Sequence, residues 1–548
     1  MNGPILRKTM NAYPHQSCTP RRPSLCWRRL SALVVLLAGV ARAHAGEADV
    51  RSSNGMGGGR WSDPQTWHGG VVPGVSNRVV ISGADTVHFD VPRDGRPHCA
   101  GLAVDPSGVL SFRMDGGTNV LVVNGPVTVY GTIRADATRD PGSQAGLELV
   151  AETLQDRTVN LLRGGGLLLY GAPAGAGGGG VPNLTLAAAP GSDASGGRVV
   201  AEGEAMIDLQ RVAIAAVSVQ ASNLDNTGYK PNQRLNIIAC HFTNGAAVRL
   251  AYCDTAVVRD NVFRIGAQPV RVTSAITLAR GSLSACRGNL IDGYNQAINF
   301  AHEVDVSLLD NRFFNQQVAI AGTHGRNCMI KGNAISNAVG GVELAHSSGV
   351  VEDLRVAAAR KNGVVLRQSA LQLTDAVFEA LAPDAVPLLL DSSSVTLLNA
   401  NLDSKAIRLT GKRPAEGFWV QAMNYLVVRL TGKVPPRSIV QVATAAVSGG
   451  VPKDGAADLN VRNSPADVGP SGWSPLPGTM RPLIVRSWSI KGNEEVADPP
   501  FYDLTVRRFQ ADGAPDPKPL HAQVIEPRDA WFRPAPNAAV ATLEIKLP

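Results

Sequence analysis

The sequence predicts an all-β protein built around a right-handed parallel β-helix, with a β-rich domain before it and a β-sandwich-like module after it. Three observations predict this fold. Histidines recur 22 residues apart at His302, His324 and His346. An apolar strand position and an asparagine position also recur within residues 248–366, mostly at the same 22-residue interval. Because one coil of such a helix takes roughly 22 residues, side chains one period apart should stack on neighbouring rungs, roughly 4.8 Å apart.

The two repeated positions share one irregular interval, which makes a chance coincidence hard to accept. Starts of the strand position lie 28, 22, 22, 22 and 22 residues apart, and the asparagines lie 28, 22 and 22 apart. Asparagine suits a sharp turn, and stacked asparagines can exchange amide hydrogen bonds, so we assign this column to structure. The pattern resembles the pectate-lyase-like β-helix family. The strand position occupies residues 248–250, 276–278, 298–300, 320–322, 342–344 and 364–366, and the asparagines are Asn261, Asn289, Asn311 and Asn333.

Residues 1–45 are predicted to be a secretory signal peptide. A short apolar run, Leu30–Val40, follows a pair of arginines and precedes the cleavage motif Ala43-His44-Ala45. The run is too short to span a bilayer, which needs about 20 residues, and no later segment is predicted to be transmembrane. We therefore expect a secreted or periplasmic protein.

The net charge of +7 carries no information about partners. The signal segment holds seven basic and no acidic residues, so the remaining chain has 45 of each sign. This balance gives no argument for a nucleic-acid partner. Five of the seven cysteines remain after signal removal, and we favour buried free thiols over disulfides for them.

Residues 60–91 carry a motif of two tryptophans, a glycine pair and a proline, followed by apolar strands. The segment resembles the start of the eight-glycine domain of fibrocystin-type proteins and of the cell-surface and secreted hyaluronan-degrading family. The resemblance implies a β-rich accessory unit and identifies no substrate. Residues 75–77 read Val-Ser-Asn, where that family has an Asp-rich step. The matching residues are Trp61, Ser62, Trp67, Gly70, Pro73, Val80, Ile81, Gly83, Val87 and Asp90.

Composition shifts divide the mature chain into three predicted parts. Residues 46–170 are the eight-glycine-like domain with the first coils, 171–410 the β-helix, and 411–548 a C-terminal β module. The period fades after residue 411, where longer alternating strands follow. Those strands indicate either a sandwich-like module or a cap on the end of the solenoid.

The candidate site consists of two columns of polar side chains beside the repeated strand. If the fifth residue of each strand position faces solvent, a basic wall runs along the coil through Tyr252, Arg280, His302, His324 and His346. We take these five as candidate catalytic residues, because histidine titrates near neutral pH and arginine pairs with carboxylates. An extended polysaccharide could lie beside them. The candidate substrate-binding residues form the second column: Arg249, Asn299 and Glu343.

A second interpretation of the same columns stays open. Strict alternation would point the fifth residue inward, where unpaired histidine and arginine are costly. A bend after the fourth residue would instead place it on a turn, stacked only because each coil repeats its neighbour. In that case the row has no chemical role. A third interpretation is a zinc site on the three histidines, which would require the two outer rings to lean inward across rungs roughly 4.8 Å apart.

If the protein is an enzyme, a polysaccharide lyase is favoured over a glycoside hydrolase. A hydrolase needs two carboxyl groups at a defined separation, and no Asp or Glu pair occupies one column beside the row. Elimination needs a base and a group that neutralises the substrate carboxylate. The predicted partner is an extracellular, uronic-acid-containing polysaccharide, and no metal or other cofactor is predicted. The alternative is a non-catalytic adhesin or matrix scaffold protein, and the oligomeric state is left open.

Overall fold

The computed structural model describes most of the chain from residue 49 onward. The predicted signal peptide, residues 1–45, lies outside the described residues. Among the described residues, no helix is long and apolar enough to cross a membrane. The described ranges are 49–52, 57–94, 96–173, 182–189, 196–225, 228–229, 234–266, 274–414, 417–433, 438–445, 473–474, 483–492, 494–497, 501–508, 510–511, 514, 516–525 and 541–548.

The described chain winds through parallel sheets and returns to the first sheet once per coil. Strands that follow one another along each sheet pair in parallel, each with its counterpart in the next coil. This architecture confirms the predicted fold class of an all-β parallel β-helix. The first sheet contains Val50–Arg51, Arg78–Ile81, Gly101–Val104, Val127–Val129, Thr158–Leu161, Gly197–Glu202, Val217–Ser222, Ala247–Ala251, Ser274–Ala279, Gln296–Ala301, Val318–Thr323, Gly340–Ala345, Asn362–Arg367, Val386–Asp391 and Ile407–Thr410.

Two further parallel sheets complete each full coil. The second sheet contains Gly58–Arg60, Thr86–Phe89, Val109–Phe112, Thr132–Asp136, Gly166–Tyr170, Met206–Gln210, Arg234–Ile238, Val257–Arg259, Ala285–Arg287, Ser307–Leu309, Cys328–Lys331, Ser348–Glu352, Ala370–Thr374, Ser394–Leu398 and Val420–Gly432. The third sheet contains Thr118–Val123, Gln144–Leu149, Leu184–Ala188, Val212–Ala215, His241–Thr243, Val262–Arg264, Leu290–Asp292, Arg312–Phe314, Ala334–Ser336, Arg355–Ala357 and Val377–Glu379.

The hydrophobic core runs along the axis as columns of inward side chains. One column of the first sheet continues through Ile276, Ile298, Ile320 and Val342, all with 0% exposure. Burying such a side chain stabilises the fold by about 1.5–3 kcal/mol. Because every rung adds the same column, the core lengthens with the coil and does not need to thicken.

The asparagine column is structural, as the sequence predicts. Each of these asparagines is at most 1% exposed. Asn289 accepts the amide of Asn261 at 3.1 Å, and its side chain donates to Asn311 at 2.9 Å. The residue before each asparagine has the left-handed backbone angle, for example Asp260 and Asp310. The asparagine side chain then hydrogen-bonds backbone amide and carbonyl groups inside the turn.

The segment that resembles the eight-glycine domain is wound into the first coils. Its strands pair in parallel with the first and second sheets. Trp61 and Trp67 are 1% and 2% exposed, and their rings meet edge to face at 5.1 Å. Gly58 has φ of 107°, and a Cβ there would meet the carbonyl oxygen of Thr86 at 2.2 Å, so glycine is required.

The C-terminal part adds antiparallel strands to the end of the solenoid. Trp488 and Trp419 are buried in the same hydrophobic core as the coils, and the amide of Trp419 donates to Ile490 at 2.8 Å. Leu483–Ile490, Trp473–Ser474 and Glu495–Ala497 extend the second sheet in antiparallel order, and Ala541–Leu547 extends it in parallel. Ser438–Ala445, Phe501–Arg508 and His521–Ile525 form a separate antiparallel sheet. Three small elements lie outside the three parallel sheets: the hairpin strands Leu224–Asp225 and Gly228–Tyr229, and the 3-10 turns Pro64–Thr66 and Ser404–Ala406.

All cysteines of the described chain are free and buried, which confirms the favoured interpretation. Burial raises the pKa of each thiol to about 12. They therefore serve as small apolar side chains. The five are Cys99, Cys240, Cys253, Cys286 and Cys328.

Candidate functional site

Six side chains form a row at the corner where the first sheet turns toward the second. Each lies one residue beyond a strand of the first sheet and has a left-handed backbone, with φ between 48° and 58°. This conformation ends the strand alternation. The row therefore lies on a turn surface, and five of its six members are exposed while Tyr252 is half-buried. We call it the corner row: Tyr252, Arg280, His302, His324, His346 and Gln368.

The three histidines of the corner row stack face to face. Ring centroids of His302 and His324 are 4.5 Å apart with a 13° interplanar angle, and those of His324 and His346 are 4.7 Å apart at 17°. Partial burial and the two flanking imidazoles lower the pKa of His324 below its ordinary value. At neutral pH this ring is therefore uncharged and able to accept a proton.

The stack does not have the geometry of a three-histidine metal site. Ring nitrogens hold their lone pairs in the ring plane, so nearly parallel rings direct them side by side instead of toward one point. Among the described residues, no group of three or more His, Cys, Asp or Glu side chains is placed to hold a metal ion.

Arg280 and Tyr252 form a pair at the other end of the row. The guanidinium donates a hydrogen bond to the Tyr252 hydroxyl and lies 5.5 Å from the centroid of its ring. This contact orients the arginine along the row.

The predicted substrate-binding residues lie in register on the outer face of the first sheet. Arg249 and Asn299 belong to one outward column that continues to Glu343. Arg249 is exposed, whereas Asn299 and Glu343 are half-buried. The Glu343 carboxylate lies 3.4 Å from the Arg367 guanidinium, so its charge is balanced. Of the predicted substrate-binding residues, Arg249 and Asn299 remain for a ligand, with Thr277 between them in the same column.

A step in turn length opens a groove beside the corner row. After His324 the second-sheet strand starts four residues later at Cys328, but after His346 it starts two residues later at Ser348. In register, Cys328 pairs with Gly349, so the turn after His346 is one residue shorter than the turn after His324. A groove of about 770 Å³ lies at this step. Its lining includes Val304, Arg326, His346, Ser348 and Gln368, and no acidic residue.

Glu303 is a buried carboxyl group directly beneath the corner row. Its side chain is 1% exposed, Oε1 accepts the Gly281 amide at 2.8 Å, and Oε2 has no hydrogen-bond partner among the described residues. Burial raises the pKa of Glu303 to about 7. Glu303 is not among the candidate catalytic or substrate-binding residues that the sequence predicts. The available signal was that Glu303 stands in a column of small residues between Gly281 and Gly325.

A second acidic group at this corner is held ionised. Tyr229 donates to one oxygen of Asp254, and Ser282 donates to the other at 2.7 Å. Burial alone would raise the pKa of Asp254, but these hydrogen bonds lower it below the ordinary value. Asp254 thus ties Tyr229 to Ser282 at this corner.

Comparisons with known proteins give a partial family similarity and several remote structural likenesses. Residues 234–402 match the family model described as periplasmic copper-binding protein (NosD). No curated protein is significantly similar to this chain in sequence.

Solved structures with similar coils are remote in sequence. The periplasmic alginate epimerase AlgG is 14% identical, with a TM-score of 0.37, over 66% of this chain and 86% of that one. The A-module of the Azotobacter vinelandii mannuronan C-5 epimerase is 12% identical, with a TM-score of 0.19, over 62% and 91%. The endo-xylogalacturonan hydrolase of Aspergillus tubingensis is 12% identical, with a TM-score of 0.17, over 66% and 90%. At these identities and TM-scores, the structural similarities support no inference about the activity of this chain.

Proposed function

We propose that this chain is a secreted or periplasmic β-helix protein that binds an extracellular polysaccharide along the corner row. The observation that carries the proposal is the groove: an open cleft of about 770 Å³ that is lined by His346 and Gln368 of the corner row, next to the stacked imidazoles, with no acidic side chain in its lining. A linear polymer with a short repeat matches a surface that repeats every rung. The cleft falls within the range of ligand pockets, about 300–1,000 Å³.

Two features of the sequence support the location. Residues 1–45 read as a signal peptide, and residues 234–402 are similar to a periplasmic family. The resemblance of residues 60–91 to the eight-glycine domain fits a secreted or surface setting and specifies no substrate.

For turnover, the residues fit β-elimination on a uronic-acid polymer better than hydrolysis. Glu343 is paired with Arg367 and Glu303 is buried, so neither offers the solvent-facing carboxyl pair that hydrolysis needs. In the elimination, His324 takes the proton at sugar C5, a C4–C5 double bond forms, and the C4–O bond breaks. The protonated His324 returns the proton to the leaving oxygen, and His302 on the neighbouring rung donates to the substrate carboxylate. Arg280, two rungs from His324 and bonded to Tyr252, pairs with the carboxylate of another sugar along the chain.

A non-catalytic binding protein, such as an adhesin or matrix scaffold, is the second candidate. One observation favours it: every member of the corner row has the same left-handed turn conformation. Such a row is what a repeating coil requires for its fold alone. This candidate predicts saturable glycan binding with no bond cleavage.

One experiment separates the two candidates. The mature protein is incubated with hyaluronan, pectate and alginate, while the ultraviolet absorbance of unsaturated uronates and the binding of each polymer are followed. Elimination predicts that the absorbance rises with one polymer and that His324→Ala abolishes this rise. The control His88→Ala should keep it, because His88 is exposed on an early strand of the second sheet. Binding without absorbance supports the scaffold protein. Absence of binding to every acidic polymer refutes the proposal.

A further inference from the structure

We propose that the groove at the step in turn length is a subsite for an anionic group on a sugar, with Arg326 as the residue that selects it. This inference rests on the proposed function and names the chemistry of its ligand. The anionic group can be a uronate carboxylate or a sulfate ester, since both present several acceptor oxygens to donors.

The floor of the groove is fixed by a ladder of serines. Ser347 accepts the amide of Gly325 at 3.1 Å, and Ser369 accepts the amide of Ser347 at 3.1 Å. Their hydroxyls donate in turn to the carbonyls of Ala345 and Arg367 at 2.9 and 2.8 Å. These hydroxyls are used within the protein, so the floor is rigid and does not select a ligand.

The rim of the groove carries the polar groups that remain available. Arg326, Ser348 and Gln368 are exposed, and the described residues give their side chains no hydrogen bond or ion pair. His346 is exposed as well, and its ring stacks on that of His324. Arginine is a donor without any acceptor, and it stays charged at every accessible pH. The rim therefore suits a ligand that is rich in acceptors.

The charge of the lining residues favours anionic ligands over neutral ones. Arg326 brings the one permanent charge among the groove's lining residues, and none of them is acidic. Asp305, on the turn one rung before Asn327, lies outside the lining, and its carboxylate accepts a hydrogen bond from the Asn327 side chain at 3.1 Å. An uncharged sugar would leave the guanidinium with water only, whereas a carboxylate or sulfate would gain charge-assisted hydrogen bonds. Val304 adds an apolar wall for the C–H face of the ring.

The test compares three ligands and three proteins by titration calorimetry. The ligands are polygalacturonate, its fully methyl-esterified and therefore neutral form, and dextran sulfate, which carries sulfate and no carboxylate. The proteins are the wild type, Arg326→Gln and the matched control Arg312→Gln, whose exposed arginine lies on the third sheet. We expect the wild type to prefer at least one charged polymer over the neutral one by about tenfold or more. Arg326→Gln should lose that preference, and Arg312→Gln should keep it.

The outcomes distinguish this inference from the proposed function. Preference for polygalacturonate identifies a carboxylate subsite, and preference for dextran sulfate identifies a sulfate subsite. If the wild type binds the neutral polymer as tightly, or if Arg326→Gln keeps the full preference, the subsite is refuted while glycan binding stands. If the wild type binds none of the three polymers, the subsite is refuted, and the proposed function fails with it when hyaluronan and alginate do not bind either.

Discussion

Replacing Glu303 by glutamine should stabilise this protein above neutral pH. The carboxyl group is 1% exposed and one of its oxygens has no partner among the described residues, so the fold favours the protonated form. Its pKa rises from 4.5 to about 7. The stability that Glu303 contributes is therefore fully present below about pH 4.5 and is lost as the pH rises through about 7.

The size of the effect follows from the shift. The rise of this pKa from 4.5 to about 7 lowers the free energy of unfolding relative to a permanently protonated side chain. The loss is about 3 kcal/mol at pH 8 and about 1 kcal/mol at pH 5. Glutamine keeps the acceptor for the amide of Gly281 and cannot ionise. Between pH 5 and pH 8, the free energy of unfolding of Glu303→Gln should therefore rise by about 2 kcal/mol relative to that of the wild type.

Urea unfolding followed by circular dichroism at pH 5 and pH 8 measures this difference. Any packing effect of the substitution that does not depend on pH cancels between the two conditions. Glu379→Gln, at an exposed position of the third sheet, controls for the loss of one surface charge. Equal pH dependence of wild type and Glu303→Gln would show that the carboxylate is not held in a desolvated site.

Two further predictions concern the coil itself. Asn311→Ala should lower the free energy of unfolding by about 2–4 kcal/mol, since it removes the acceptor of the buried Asn289 amide and the side-chain hydrogen bond to the Cys286 carbonyl. Asn295→Ala, at an exposed bend, is the control, and equal unfolding midpoints would contradict the structural role of the column. All five mature-chain thiols should resist a thiol reagent in the native state and react in urea, because each is buried. Rapid labelling of folded protein would show that the coils open locally.

Periodicity alone was enough to predict the stacking of the coils. Intervals of 22 residues aligned Arg249, Asn299 and Glu343, and the register of the first sheet places them in one column. The reason is physical: a solenoid translates sequence distance directly into spatial neighbourhood. The same reasoning applied to the buried asparagines, and to Cys286 and Cys328, which align by one period with the core residues Leu308 and Val306.

Features that break the repeat could not be predicted in the same way. The groove depends on a turn that shortens after His346, while the rung keeps its 22 residues because the connection from third to first sheet lengthens. Glu303 lies within hydrogen-bond distance of Gly281 only because its side chain leans back by one rung. Left-handed backbone angles at the corner row decide between an inward and an outward fifth residue, and strand alternation contains no information about them.

A structure of the mature protein with a bound acidic oligosaccharide tests the account most directly. We expect the sugar chain to run parallel to the solenoid axis beside His324 and His346, with an anionic group within hydrogen-bond distance of the Arg326 guanidinium. An oligosaccharide bound on the third sheet, or one crossing the corner row without contact to Arg326, would contradict the account.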